Sequence, residues 1–388
     1  MAVKLINRPP QVALLVETSL ASGREILRGI ARFLQEHEPW LVHLEPRGLT
    51  ELLPEWLNTW QGDGIIARVH SPEVVTAVRA VGVPCVDVLG LVADAGIPLV
   101  HVDDNSVGCL AADHFLKRGY AHFGFLGIRD ENWSLRREAA FRARIEQTGG
   151  KCSSLDFTRH EWQRTARTEL REQLANWVIS LPKPAAVMLA SDQLGVLFVE
   201  ACQGAGLRIP EEIAILGVDN DEPLCMVQHP TLSSIDPQHG NMGYEAAKLL
   251  QRMMQGDAPP NAPLLLPAGA IIERQSTSAD AVTDPIVSAA LTFIRQHACD
   301  GMRVEDVVAH VGVSRSALQN RVRQTLGRTV HDIILHVRLD RAKELLLETN
   351  LPLADVAQRA GFRHQEYLSA IFRKHLDTTP GRFRRGQR

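Results

Sequence analysis

The sequence predicts an α/β body of two lobes built on parallel sheets, followed by an all-α end with two helix-turn-helix units. Three observations predict it. Short apolar runs alternate with segments of helical period through residues 12–218. Near the end one pattern recurs 49 positions on: Val308 pairs with Ala357, Gly312 with Gly361, Val313 with Phe362, Val322 with Ile371, and Leu318 with Leu368 slipped by one. The last hundred residues or so are basic and the rest acidic. At 388 residues the chain exceeds one ordinary core, so two or three domains are expected.

In chain order, Val12–Val16 reads as a buried strand and Gly23–Leu34 as a helix with Ile26, Leu27, Ile30, Phe33 and Leu34 on one face. Gly64–Ala67 precedes the helical Glu73–Val81 and the apolar Pro84–Val88. Leu99–Val102 precedes Val107–Leu116 and His122–Leu126, and Ala185–Leu189 precedes Leu194–Ala205 and Ala214–Val218. Repeated strand–helix–strand units imply parallel strands buried on both faces. The small, polar stretch Thr277–Asp284 reads as a linker between a domain at 1–276 and one at 285–388.

Beyond it, Asp284 is placed to cap a helix with Pro285 in its first turn, running through Ile286–His297. Val304–His310 reads as a supporting helix, Ser314 as an N-cap and Arg315–Leu326 as a recognition helix. Ile333–Leu347 is a continuous amphipathic helix spanning on the order of 22 Å, enough with its turns to set two recognition helices roughly one duplex turn apart. The second unit occupies Leu353–His375. In each unit a small residue lets two helices cross closely and Gly relieves the turn.

Charge agrees with this division. Residues 285–388 hold 17 Lys and Arg against 10 Asp and Glu, whereas residues 1–284 hold 25 against 35. An anionic partner is expected for the end alone, and with the tandem motif that partner is double-stranded DNA. The six cysteines are scattered without metal-ligand spacing, so neither zinc nor any other metal or cofactor is expected and the thiols should be reduced. MAVKLINRPPQ does not resemble a signal peptide and no apolar run suits a membrane, so a cytoplasmic protein is expected.

In open parallel sheets a ligand sits beyond the carboxyl ends of the strands. The polar residues there are Glu17, Thr18, Ser19 and Arg24; Asp103 and Asn105; Ser191 and Asp192; Asp219 and Asn220. Carboxylates accept from vicinal hydroxyls and Arg donates in a planar fork, which suits a polyhydroxyl ligand. Trp133 and Phe141 are the aromatic candidates for a sugar's C–H face. Taken singly, each polar residue is as readily a turn or cap residue. No nucleophile elbow, P-loop or HExxH motif accompanies them, so nothing points to an enzyme.

The phrases VDDNSVGCLAADHFLKRGYAHFGFLG (102–127), LASDQLGVLFVEACQGAGLRIPEEIAILGVDNDE (189–222) and PTLSSID (230–236) resemble the sugar-sensing core of the LacI/galactose-repressor group, related to periplasmic sugar-binding proteins. The resemblance implies ligand contacts at Arg137, with Phe141 as its aromatic, and at Asp192 and Asp219. That group carries its DNA-binding helices before the sensor, yet the first strand here is expected already at Val12. The DNA-reading part is therefore expected elsewhere.

VRLDRAKELL (337–346), LADVAQRAGF (353–362) and YLSAIFRKHLDTTPGRFR (367–384) resemble the AraC/XylS-type DNA-binding domain, whose terminal element falls on Thr378, Pro380, Phe383 and Arg384. This resemblance implies base contacts from Arg315, Ser316, Gln319 and Asn320 in the first recognition helix and from His364, Gln365 and Glu366 in the second. Arg323, Arg373 and Lys374 would meet phosphates. Ala370 stands where many relatives carry a base-contacting Arg, and Ser316 where an aromatic is sometimes found. A LacI-like sensor joined to an AraC/XylS-type end resembles regulators of pentose operons. It implies a sugar-responsive activator with D-xylose as effector, a homodimer on repeated half-sites, and RNA polymerase as a partner. A regulator for another monosaccharide, a sugar-transport component and a sugar-metabolising enzyme are the competing readings.

Overall fold

The computed structural model describes residues 8–48, 53–278, 282 and 284–386, in two compact units that divide after Ser278. The first opens with β1 (Gln11–Leu15), α1 (Ala21–Glu36), β2 (Leu41–Leu44), β3 (Gly64–Ala67), α2 (Pro72–Val81) and β4 (Cys85–Asp87). Their four strands form a parallel sheet in the order β2-β1-β3-β4. Alternate residues of β1 and β3 feed two cores, as a strand covered on both faces requires. Val12, Leu14 and Ile66 pack with Ile26, Ile30 and Phe33 of α1, while Ala13, Leu15, Ile65 and Ala67 pack with Val74 and Val78 of α2.

β5 (Val100–Val102) and α3 (Asp104–Lys117) lead into the second sheet. There follow β6 (His122–Ile128), α4 (Asn132–Glu146), β7 (Lys151–Phe157), α5 (Arg159–Arg164) and α6 (Arg167–Ser180). Next come β8 (Ala185–Leu189), α7 (Asp192–Gly204), β9 (Ile213–Val218), α8 (Glu222–Met226) and β10 (Ser233–Ile235). α9 (His239–Met254) returns to the first sheet, β11 (Leu264–Leu266) pairs with β5, and β12 (Ile271–Ile272) joins β10. The second sheet runs β12-β10-β9-β8-β6-β7, parallel except for β12.

The crossing of α9 over α1 depends on two glycines. A Cβ on Gly29 would lie 1.8 Å from the Gly240 carbonyl oxygen, and one on Gly243 would lie 2.0 Å from that of Ile26. Only bare backbone permits this approach, which brings the first turns of both helices to one cavity.

The unit's end corrects the expected linker. Ser276 and Thr277 are fully buried. The Thr277 hydroxyl donates to Ser233 Oγ at 2.7 Å, and Arg118 Nε donates to the Thr277 carbonyl at 3.1 Å. Thr277 is thus part of the α/β unit, its hydroxyl compensated by a partner that sequence does not reveal. Residues 279–281 and 283 of the expected linker lie outside the described residues.

The second unit contains α10 (Pro285–His297), a short turn of helix at Ala298–Asp300, α11 (Val304–Val311), α12 (Arg315–Leu326), α13 (Val330–Glu348), α14 (Leu353–Arg359), α15 (Gln365–Leu376) and α16 (Pro380–Gly386). Asp284 caps α10 as expected, accepting from the Ile286 and Val287 amides. The unit has two cores. One gathers α10, α11 and α12 around Val287, Ile294, Val307, Leu318 and Val322; the other gathers α14 and α15 around Val356, Ala357, Leu368 and Phe372. α13 contributes to both.

The repeat is not uniform. α11 and α14 start 49 positions apart, but the N-caps Ser314 and His364 are 50 apart. One additional residue lies between the turn glycine and α15, so Val322 corresponds to the fully buried Phe372 and not to Ile371. The shift persists beyond the helices: Gly327 and Asp377 are both left-handed C-caps.

Candidate functional site

The cavity of about 610 Å³ lies where α1, the end of β9 and the start of α9 converge, and Arg24, Glu25, Arg28, Asp219, Asn220 and His239 are among its lining residues. Its floor is strained. Asp219 and Asn220 have φ of 109° and 45°, a region that non-glycine residues occupy at a cost unless their surroundings hold them there. The restraints are visible. Arg274 Nη2 donates to Asn220 Oδ1 at 2.8 Å, and the Asn220 amide donates to Ser234 Oγ at 3.0 Å. His239 Nε2 stands 3.3 Å from Asp219 Oδ1, and its buried Nδ1 has no partner among the described residues. Arg24 is held over the cavity by the loop between β1 and α1, its Nη1 donating to the carbonyls of Thr18 and Ser19 at 2.9 and 3.0 Å.

Asp192, expected on the ligand, has another place. It is 1% exposed, and its oxygens accept from the Ser234 hydroxyl at 2.8 and 2.9 Å, the Asp221 amide at 2.9 Å and the Cys225 thiol at 3.4 Å. It braces the strained turn from beneath. Burial, with the Asp219 charge adding to it, pushes its carboxyl up to about 8 against these hydrogen bonds, which hold it down; in the protonated form one oxygen donates to Ser234 Oγ in place of accepting from it.

Arg137 and Trp133 do come together, at the end of β8. The buried Arg137 donates through Nε to Asp104 Oδ1 at 3.0 Å and through Nη1 to the Ala190 carbonyl at 2.6 Å. Its guanidinium lies 4.9 Å from the Trp133 ring centre, a cation–π distance. Arg136 holds the other Asp104 oxygen at 2.8 Å. Nearby His101 stays uncharged because burial pulls its pKa down to about 4. Phe141 is not a sugar face: it is fully buried, with Phe115 and Phe125 each 6.2 Å away between ring centres. An apolar ring on the inner face of α4 has more surface to bury in that core than at a polar cleft.

On the first sheet, Glu17 is buried at the end of β1 and paired with Arg68, which also donates to Ser22 Oγ at 2.9 Å. Glu17 Oε2 and Arg68 Nε have no partner among the described residues. Arg68, His239 and Arg274 were missed from sequence. Arg68 directly follows β3, so the rule that found Glu17 applies to it; His239 and Arg274 follow short runs with no periodic signal.

In the second unit, Ser314 Oγ accepts from the Ala317 amide at 3.2 Å and fixes the start of α12. Arg315, Ser316, Asn320 and Arg323 are exposed on one face and Gln319 is half-buried on it. Arg315 is tethered to Glu305 of α11 at 2.7 Å. On the second helix His364, Gln365, Glu366, Arg373 and Lys374 are exposed. The 50-residue offset sets Ser369 and Ala370 opposite Gln319 and Asn320, so the middle of the second face lacks long polar side chains. Among the described residues no His, Cys, Asp and Glu group suits a metal ion, and no helix is long and apolar enough to cross a membrane.

Residues 11–101 match the family described as XylR N-terminal domain, 112–277 the periplasmic binding protein-like domain and 307–386 a helix-turn-helix domain. The chain is 30% identical to the xylose operon regulatory protein of Escherichia coli (strain K12), covering 98% of each. It is 27% identical to that of Haemophilus influenzae over 96% of this chain and 98% of the relative. A solved structure titled xylose-binding transcription activator XylR superimposes with a TM-score of 0.81 at 29% identity, covering 98% of this chain and 99% of that one.

Proposed function

Since the chain belongs to the family of xylose operon regulatory proteins, we propose that it binds D-xylose in the α/β unit and activates pentose catabolic genes in response. It is a DNA-binding regulator and not an enzyme. The observation that carries the sugar reading is the polar cavity of about 610 Å³ floored by the strained Asp219–Asn220 turn. Small-ligand sites commonly measure roughly 300–1,000 Å³, and strain of this kind collects at binding sites.

In this reading Asp219, Asn220 and Arg24 meet sugar hydroxyls, with Arg137 and Trp133 of α4 closing over the end of β8, and Glu17 with Arg68 from the first sheet. Asp192 and Phe141 support the site without touching the sugar. Arg315, Ser316, Gln319 and Asn320 read bases, joined by His364, Gln365 and Glu366. Arg323, Arg373 and Lys374 neutralise phosphates. The protein acts in the cytoplasm as a homodimer on repeated half-sites and engages RNA polymerase when loaded.

The test combines two measurements on the full chain. Thermal unfolding is followed with D-xylose, L-arabinose, D-ribose and D-glucose; a ligand at 100 times its Kd stabilises by about 2.7 kcal/mol. Fluorescence anisotropy then follows promoter DNA from a xylose operon with and without each sugar. D-xylose should stabilise the protein and tighten the DNA complex. No stabilisation by D-xylose, or DNA affinity indifferent to it, would remove the proposed effector.

A further inference from the structure

α13 serves two cores at once. Ile333, Ile334 and Val337 pack into the first, and Leu335, Leu339 and Ala342 into the second. Arg338 sits at the changeover. Its Nε donates to the Ala298 carbonyl and its Nη2 to the Met302 carbonyl, each at 2.7 Å. The Ala298 carbonyl is at the C-cap of α10 and Met302 follows the short helical turn, where carbonyls lack a partner within the helix and a cation is favoured. A rigid planar fork can hold two such carbonyls at once, which a single ammonium does less well.

The turn of the second helix-turn-helix unit closes on the same spot. A Cβ on Gly361 would lie 2.7 Å from Cys299 Cα, 2.8 Å from the Ala298 carbonyl oxygen and 3.0 Å from Arg338 Nε. Its counterpart in the first unit, Gly312, shares the left-handed backbone, at φ 67° against 77°, but a Cβ there would meet nothing within 4 Å. Turn geometry alone therefore accounts for Gly312. Gly361 is in addition wedged between one unit and the backbone of the other.

We propose that Arg338 and Gly361 form a lock that fixes the spacing and relative rotation of α12 and α15, making operator spacing a built-in property of the DNA-binding domain. The proposal rests on the DNA-binding reading above. Arg338 is a positioning residue: it acts through α15 and touches no base. Two linked modules gain from each other only when their geometry suits both sites, so a locked pair binds one spacing tightly and rejects its neighbours. An unlocked pair binds that spacing less well and discriminates less.

The experiment uses the full chain with D-xylose and three duplexes. One carries the natural site, one has a base pair inserted between the segments protected by the two units, and one has the second segment scrambled. For the unmodified protein the insertion should weaken binding about as much as scrambling does, on the order of tenfold or more. Arg338→Met and Gly361→Ala should lose affinity for the natural site, and their natural-to-inserted ratio should fall to within about threefold, with binding to the scrambled duplex unchanged. Arg338→Lys, which keeps one donor for a carbonyl, should restore part of the ratio. Variants that keep the wild-type ratio, including any that weaken equally on all three duplexes, overturn the lock, as does a lost ratio that Arg338→Lys leaves unrestored. Absence of sequence-specific binding by the unmodified chain would sink the DNA-binding reading along with it.

Discussion

Asp192 illustrates how one carboxyl can be mistaken for a ligand. It follows a strand, as a binding residue should, yet its acceptors are taken by Ser234, Asp221 and Cys225. Its raised pKa has a consequence for stability. Between the usual Asp range and about 8 the folded chain binds a proton that the unfolded chain has lost. The group's contribution is therefore fully present in acid, declines as pH rises through this window, and is gone above about 8. Asp192→Asn keeps a neutral group of similar shape and removes the titration. Its stability relative to the parent should rise between pH 4 and pH 8 by an amount on the order of a few kcal/mol. Denaturant unfolding at both pH values measures this, and a difference that does not change with pH would show that Asp192 is charged in the fold.

At the scale of elements, the two recognition helices have the same frame but different faces. Long polar side chains run along α12, whereas Ser369 and Ala370 interrupt α15. Sequence discrimination should concentrate in the first unit. Gln319→Ala should relax preference at particular bases, costing about 1–3 kcal/mol against the wrong base. Arg373→Ala should weaken all sequences alike and lower the salt slope by roughly one unit. Anisotropy titrations over a salt series separate the two. A uniform loss for Gln319→Ala would remove α12 from the groove. The elements that sequence left unassigned lie at edges or on the outside. β2, an edge strand of the first sheet, reads LVHL, a four-residue stretch broken by His43 and exposed at every position, and β7, an edge strand of the second sheet, is largely polar. α6 buries only Leu170, Leu174 and Val178.

For the whole molecule, an effector alters DNA affinity only through its own difference in affinity between two arrangements, commonly about 1–3 kcal/mol. If the arrangement that sugar favours is the pairing of two copies on DNA, the intact chain should bind paired half-sites more tightly with D-xylose. A single half-site should then be bound equally with and without it. Inserting half a helical turn between the half-sites should abolish the gain. Equal enhancement on both substrates would mean that the signal enters each DNA-binding domain directly.

The fold class, the order of the main elements, the capped start of α10 and the tandem helix-turn-helix were all legible in the chain before any folding. Each is a local or periodic property, written in apolar spacing, cap residues and turn glycines within a few positions of one another. The apolar spacing also set Arg24, Asp219 and Asn220 on one cavity, because strand ends converge in any open parallel sheet. Which carboxyl faces that cavity and which is buried beneath it was decided only in three dimensions. So was the place of Thr277 inside the α/β unit, and the one-residue offset between the repeats. Partners such as Ser234 for Asp192, Ser233 for Thr277 and Ala298 for Arg338 lie tens of residues away along the chain. The burial of a polar group depends on such distant compensation, and no local pattern records it.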